Sequence, residues 1–170
     1  MINKDSKIYI AGHKGMVGSA CLSLFQRKGY KNLCYIDSNN LDLRDQKQVY
    51  DYLNDERPDL IIDAAAKVGG IVANNTYPYE FLMDNLQIQN NLINAAHKFD
   101  VSDFIFLGSS CIYPKLCTQP IKEKYLMTGE LEPTNQWYAI AKITGVKLIE
   151  SLNKEYGRRY LSLMPTNLYG

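Results

Sequence analysis

The chain has 170 residues, 46% hydrophobic and 22% charged, with 19 Lys and Arg against 18 Asp and Glu and a formal net charge of +1. That apolar content excludes a disordered chain, and the balanced charge argues against a nucleic-acid or membrane-surface binder. No apolar run approaches the roughly 20 residues that a membrane span needs, and the polar opening Met1–Ser6 carries no leader-like apolar stretch, so a soluble, cytoplasmic globular protein is expected, with neither nucleic acid nor membrane as partner.

Lys7–Ala11 (KIYIA) reads as a buried strand. Val17, Ala20, Cys21, Leu24 and Phe25, at helical spacing, predict a helix from Met16 to Lys28, closed by Gly29. Leu33–Ile36 is a second strand and Leu41–Leu43 a short third one. A helix follows over Asp45–Asn54, with Val49, Tyr50 and Leu53 inward, and then a strand at Leu60–Ala65. A long helix covers Phe81–Lys98, with Leu86, Ile93 and Ala96 on its apolar face. Next come a strand at Asp103–Leu107, a second long helix at Gln136–Tyr156 and a last strand at Tyr160–Met164. Strands alternating with helices imply parallel pairing through right-handed crossovers. The fold class is therefore α/β, a doubly wound parallel sheet of six strands in one domain. Ligands of such sheets bind beyond the carboxyl ends of the strands, so the residues just after each strand are the ones to read for chemistry.

After the first strand, Gly12-His13-Lys14-Gly15-Met16-Val17-Gly18 spaces three glycines as GxxGxxG between strand and helix. The first allows a tight turn, the second lets backbone approach a pyrophosphate, and the third permits close packing of helix on strand. The helix N-terminus adds free N–H groups for phosphate. This loop predicts dinucleotide binding, with His13 as scaffolding. Asp37, 19 residues past Gly18, stands where an acid accepts the ribose hydroxyls of NAD. Lys14 could instead reach the 2′-phosphate of NADP, and Asp37 also reads as a plain residue of the turn Asp37-Ser38-Asn39-Asn40.

Tyr138 and Lys142 form YxxxK early in the last helix, where a spacing of four stacks them on one face. An ammonium beside a phenol lowers its pKa, which predicts a usable proton donor or acceptor near neutral pH. The lysine can also hold the nicotinamide ribose. Gly108-Ser109-Ser110-Cys111 directly follows the strand Asp103–Leu107 and puts a hydroxyl at the carboxyl edge, able to hydrogen-bond a substrate carbonyl. Cys21, Cys34, Cys111 and Cys117 fit neither a zinc site nor a disulfide framework. They are expected as reduced thiols, with Cys21 and Cys34 as buried small hydrophobes, and no metal is expected. His97 reads as a charge partner at its helix C-terminus. Lys67-Val68-Gly69-Gly70 reads either as a flexible glycine loop or as a cover over nicotinamide and substrate.

This combination resembles the extended short-chain dehydrogenase/reductase superfamily of nucleotide-sugar epimerases, dehydratases and reductases. More narrowly, Ala11–Ala20 (AGHKGMVGSA), Ala64–Asn75 (AAAKVGGIVANN), Phe106–Pro114 (FLGSSCIYP), Leu131–Asn135 (LEPTN) and Met164–Gly170 (MPTNLYG) are similar to blocks of the GDP-L-fucose synthase family. The resemblance implies a Rossmann-type NADP(H)-binding domain over residues 1–170, with a substrate subdomain expected after Gly170. It implies 3,5-epimerisation of GDP-4-keto-6-deoxy-D-mannose and NADPH-dependent reduction of its C4 ketone to give GDP-L-fucose. In that scheme Tyr138 is the acid for reduction and Lys142 its partner. Ser109 binds the C4 carbonyl, with Ser110 as second candidate. Cys111 is one of two acid/base groups for epimerisation, and the other, a histidine, is expected past residue 170. The implied cofactor set is Gly12, His13, Lys14, Gly15, Met16, Val17, Gly18, Asp37, Ser38, Asn40, Leu41, Asp42, Ala64, Ala65, Ala66, Leu107, Gly108, Tyr138, Lys142, Pro165, Thr166, Asn167 and Leu168. The family's usual basic residues after the second strand are not matched in Ile36–Asn40, so NAD(H) stays open beside NADP(H). By analogy, helices 81–98 and 136–156 would pair across a two-fold axis in a homodimer. Two other readings stand beside this one: a reductase or epimerase of another GDP-4-keto sugar, such as a GDP-heptose, and a dinucleotide-binding module without catalysis.

Overall fold

The computed structural model describes residues 2–169; Met1, and Gly170 at the end of the MPTNLYG block, lie outside the described residues. The apolar runs form five strands: β1 (Ile8–Ala11), β2 (Leu33–Cys34), β3 (Leu60–Asp63), β4 (Asp103–Leu107) and β5 (Arg159–Leu163). They pair in parallel in the order β2-β1-β3-β4-β5. Helices α1 (Met16–Arg27), α2 (Gln46–Glu56), α3 (Ile71–Thr76), α4 (Pro78–Lys98) and α5 (Gln136–Tyr156) run between the strands. Inner strands covered on both faces have no reason to alternate, and β1 and β3 are buried at every position.

Helices α2, α4 and α5 cover one face of the sheet, packing on Tyr9, Ile61, Phe104, Phe106 and Tyr160. Helix α1 covers the other, where Cys21, Leu22 and Phe25 meet Ile8, Ile10, Leu60 and Ile62. On that second face Leu161 and Leu163 of β5 stay about half exposed. Among the described residues no helix is long and apolar enough to cross a membrane.

Several expectations change. The sheet has five strands, because Leu41–Leu43 is irregular: Leu41 N–H bonds back to the Asp37 carbonyl at 3.0 Å. The Asn91 side chain of α4 takes the carbonyls of Leu43 and Arg44, each at 2.9 Å, so no ladder can use them. The second strand stops at Cys34 rather than Ile36. Residues 71–76 form α3, which the glycine pair before it disguises, and α4 starts at Pro78, a residue suited to the first turn. Asp45 caps α2 from outside, accepting from Gln48 N–H at 3.1 Å. Ala20 and Leu24 face outward, and Cys21 and Cys34 are half-buried rather than buried.

Gly145 sets how closely α5 sits on the sheet, since a Cβ there would lie 2.4 Å from the Phe106 ring. Gly145→Ala should therefore destabilise the fold by about 1–3 kcal/mol, the usual range for overpacking. Urea unfolding reads this directly, and an unchanged midpoint would contradict the close approach of α5 to β4.

Candidate functional site

The carboxyl ends of β1, β3, β4 and β5 bring four loops to one edge of the sheet. Gly12 takes a left-handed conformation (φ 75°), and a Cβ on it would lie 2.6 Å from the Ala64 carbonyl oxygen. A Cβ on Gly18 would lie 2.2 Å from the Gly12 carbonyl oxygen. The first turn of α1 is thus pressed onto the loop after β1, and that loop onto the loop after β3. Gly15 precedes α1 and offers no side-chain cap, so the first N–H groups of the helix are left to another acceptor.

Beside this loop lies a cleft of about 640 Å³, a fitting size for a small-molecule site. Of the expected cofactor set, Gly12, His13, Lys14, Gly15, Met16, Val17, Ser38, Leu41, Asp42, Ala64, Ala65 and Ala66 line it. Gly18 is buried beneath the loop. Asp37 and Asn40 are not in its lining. The Asp37 carboxylate pairs with Lys14 and accepts from the Asn39 N–H of its own turn at 2.9 Å, so the two candidate selectors engage each other. His13 stacks near Tyr35, with 5.0 Å between ring centroids.

Arg44, Lys67 and Asp84 also line the cleft and were not in the expected set. Asp84 lies between the two cations, 3.6 Å from Arg44 and 3.2 Å from Lys67. The loop around Lys67 is not a free glycine loop: Asn85 accepts from its N–H at 2.9 Å and donates to its carbonyl at 3.0 Å. A run such as LDLRD hints at Arg44, but its approach to the cleft depends on Asn91 and Asp84 from a distant helix.

Next to the cleft, a 3₁₀ turn (Ser110–Ile112) follows β4. It is tied to the loop after β5 by Gly108 N–H to the Leu163 carbonyl at 2.8 Å and Ser110 N–H to the Pro165 carbonyl at 3.1 Å. Ser109 Oγ accepts from Cys111 N–H at 3.3 Å. The start of α5 packs over this turn. Lys142 Nζ lies 5.8 Å from the Tyr138 ring centroid and 4.6 Å from that of Phe106. Charge on Cys111 acts on both Tyr138 and Lys142, so the four candidate catalytic groups share one neighbourhood. Leu107, Gly108 and Pro165–Leu168 stand at the same edge but outside the cleft lining, with Thr166, Asn167 and Leu168 exposed.

The electrostatics differ from expectation. Burial, followed by the charges of Cys111 and Asp63, pushes Tyr138 up to about 12, whereas the YxxxK spacing alone predicts a lowered phenol. The tyrosine is therefore held as a neutral proton donor. Burial pushes the Cys111 thiol up, partly offset by the Ser109 hydroxyl and Lys142. His97, in the last turn of α4, accepts at Nδ1 from Arg158 at 3.0 Å, and so does its carbonyl at 2.9 Å.

Asp63, absent from the expected set, ends β3 fully buried, and burial pushes its carboxyl up to about 6 against the opposing charge of Lys142. From about pH 4 to pH 6 the unfolded chain ionises at this group while the folded chain keeps its proton. Stability is therefore lost as pH rises through that window, by roughly 3 kcal/mol. Asp63→Asn should remove the loss, so the difference in urea midpoint between variant and parent, whatever its sign at pH 4, should shift in the variant's favour between pH 4 and pH 7. Parallel stability curves over that range would contradict the burial of a titrating carboxylate.

A sequence profile of the NAD dependent epimerase/dehydratase family matches residues 8–170. GDP-L-fucose synthase of Escherichia coli (strain K12) is 55% identical over 164 residues, covering 96% of this chain and 51% of the relative. A GDP-D-glycero-L-gluco-heptose synthase from Campylobacter jejuni, solved in the presence of NADPH, superposes with a TM-score of 0.97 at 37% identity, covering 100% of this chain and 50% of that one. The GDP-mannoheptose C4 reductase MlghC from the same organism, with NADP bound, gives 0.97 and 37%, covering 100% and 54%. The chain spans about half the length of the curated relatives it matches.

Proposed function

From the premise that this chain belongs to the NAD dependent epimerase/dehydratase family, we propose that the whole protein converts GDP-4-keto-6-deoxy-D-mannose to GDP-L-fucose by 3,5-epimerisation and NADPH-dependent 4-reduction. The observation that carries this reading is the meeting of the Ser109–Cys111 turn with the Tyr138–Lys142 pair beside the glycine-loop cleft. Its support among relatives is the 55% identity to a GDP-L-fucose synthase.

The cleft fits a dinucleotide. Gly12 and Gly15 present backbone without side chains, the start of α1 lines it, and Lys14 and Arg44 are lining cations that would hold a 2′-phosphate. When held there, NADPH would supply the hydride for C4. Tyr138, neutral at working pH, gives its proton to the C4 oxygen as charge develops there. Lys142 stabilises the phenolate left behind, and Ser109 donates a hydrogen bond to the same oxygen. The C4 ketone acidifies the sugar C3 and C5 protons, and Cys111 is one of the two acid/base groups that remove and return them from opposite faces, its partner being supplied by the rest of the whole protein. Domain 1–170 is the cofactor domain in this reading, with Pro165–Leu168 against nicotinamide or sugar and the remaining half of the protein holding the GDP-sugar.

The same reading makes the protein a cytoplasmic homodimer. The free thiols Cys21, Cys34, Cys111 and Cys117 suit a reducing compartment. Trp137 and Ile140, both 38% exposed on the outer side of α5, support a helix-to-helix contact between subunits. A GDP-heptose reductase is the second reading, favoured by the 37% identical structures.

Two substitutions in the full-length protein test the chemistry. Tyr138→Phe should lower ketone reduction by about 100- to 10,000-fold, the usual worth of a general acid, while NADPH still binds. Undiminished reduction would remove Tyr138 from the role. Cys111→Ser should suppress deuterium uptake from solvent at C3 and C5 more than it slows reduction of a preformed epimer. Equal uptake in variant and parent would favour the reductase reading.

A further inference from the structure

The proposed reaction leaves one buried carboxylate without a task. The register across β1, β3, β4 and β5 places Ala11, Asp63, Phe106 and Ser162 side by side. Residues in register on neighbouring parallel strands point to one face about 5 Å apart. Asp63 therefore stands beside the Phe106 ring, on the face covered by α4 and α5. Lys142 comes down from α5 onto the same ring, its Nζ 4.6 Å from the centroid. Asp63 and Lys142 thus flank one aromatic residue, more than 4.0 Å apart and with no direct ion pair, and both are buried, at 0% and 3% exposure. Asp63 Oδ1 accepts from Ala65 N–H at 3.2 Å, and its Oδ2 has no hydrogen-bond partner. A buried carboxylate with an unfilled oxygen is unfavourable unless a cation faces it.

We propose that Asp63 is the internal counter-charge of Lys142, a positioning residue that keeps this ammonium charged and seated beside Tyr138. Its importance for catalysis rests on the reading of Tyr138 and Lys142 as the reducing pair. Being fully buried, Asp63 acts through Lys142 rather than on a ligand. The titratable groups around it are Lys142 and Tyr138 from α5, Tyr9 from β1 and, through Lys142, Cys111 from the turn after β4. Helix α4 presents the neutral Gln89, which donates to the Ala141 carbonyl at 2.6 Å. Lys142 is the cation of this group. Burial favours its neutral amine, and Asp63 opposes that more strongly than Cys111 does. A neutral amine could not stabilise a Tyr138 phenolate, so the carboxylate under the sheet maintains the charge the reaction needs.

The test is the titration of Lys142 itself, followed by NMR in full-length protein carrying ¹³C at the lysine ε-carbon, with the Lys142 signal assigned by its loss in Lys142→Met. In Asp63→Asn and in Asp63→Leu, Lys142 should release its proton at least about one pH unit lower than in the parent, a tenfold change in its dissociation constant. The reciprocal experiment labels aspartate: in Lys142→Met the Asp63 carboxyl should titrate higher than in the parent. Because it uses a different variant, it decides the matter even if both Asp63 variants fail to fold. The alkaline limb of the reduction rate should move down with Lys142 in the Asp63 variants, while KM for the nucleotide sugar stays put. Unmoved Lys142 and Asp63 titrations overturn the proposal, whatever happens to activity. Moved titrations in a protein that reduces no GDP-keto sugar leave the counter-charge standing and overturn the proposed function instead.

Discussion

The backbone contact of Gly18 on Gly12, and of Gly12 on Ala64, is the constraint from which the site follows. Side chains at Gly12 or Gly18 would collide with carbonyl groups at 2.6 and 2.2 Å, so α1 and the loops after β1 and β3 meet backbone to backbone. That contact fixes where α1 begins, and with it where its unpaired N–H groups point. The cleft opens beside them because the chain fills the space with small residues, Ala64, Ala65 and Ala66. A ligand phosphate can then be held by peptide dipoles already in place, with no side chain to be ordered first.

Charge in this region is arranged locally rather than in bulk. The net charge of +1 hides three cations at the cleft, Lys14, Arg44 and Lys67, each facing carboxylates: Asp37 for Lys14, Asp42 and Asp84 for Arg44, and Glu80 and Asp84 for Lys67. Such half-exposed pairs contribute little to stability. They keep the cations in position until an anion competes for them. Deeper in, Asp63 and Ser162, on either side of Phe106 beneath Lys142, put polar atoms into a face that is otherwise mostly apolar. A fold accepts such a local penalty where chemistry is placed, and this one lies directly under the YxxxK pair.

Much of this was legible in the sequence for a definite reason. The glycine loop, the YxxxK spacing and the GSSC turn are short-range patterns, and strand-loop-helix order alone puts them at one edge of a parallel sheet. What could not be read depends on distant partners. Leu41–Leu43 has strand-like composition, yet Asn91, 48 residues after Leu43, takes the carbonyls its ladder would need. Asp37 reads as a ribose acceptor until Lys14 is seen to pair with it. Tyr138 rises through burial and, after it, the charges of Cys111 and Asp63, none of which the YxxxK spacing shows. Asp63 looks like the polar end of an apolar run, and only the register that sets it beside Phe106 reveals its company.

The central claim is that the backbone around the glycine loop is a preformed seat for a dinucleotide. NADPH titrated into ¹⁵N-labelled full-length protein tests it most directly. The largest amide shifts should fall on residues 12–17 and 64–66, with smaller ones at Ser38 and Arg44. Saturation without shifts at residues 12–17, or shifts confined to the surface around residues 114–133, would contradict it.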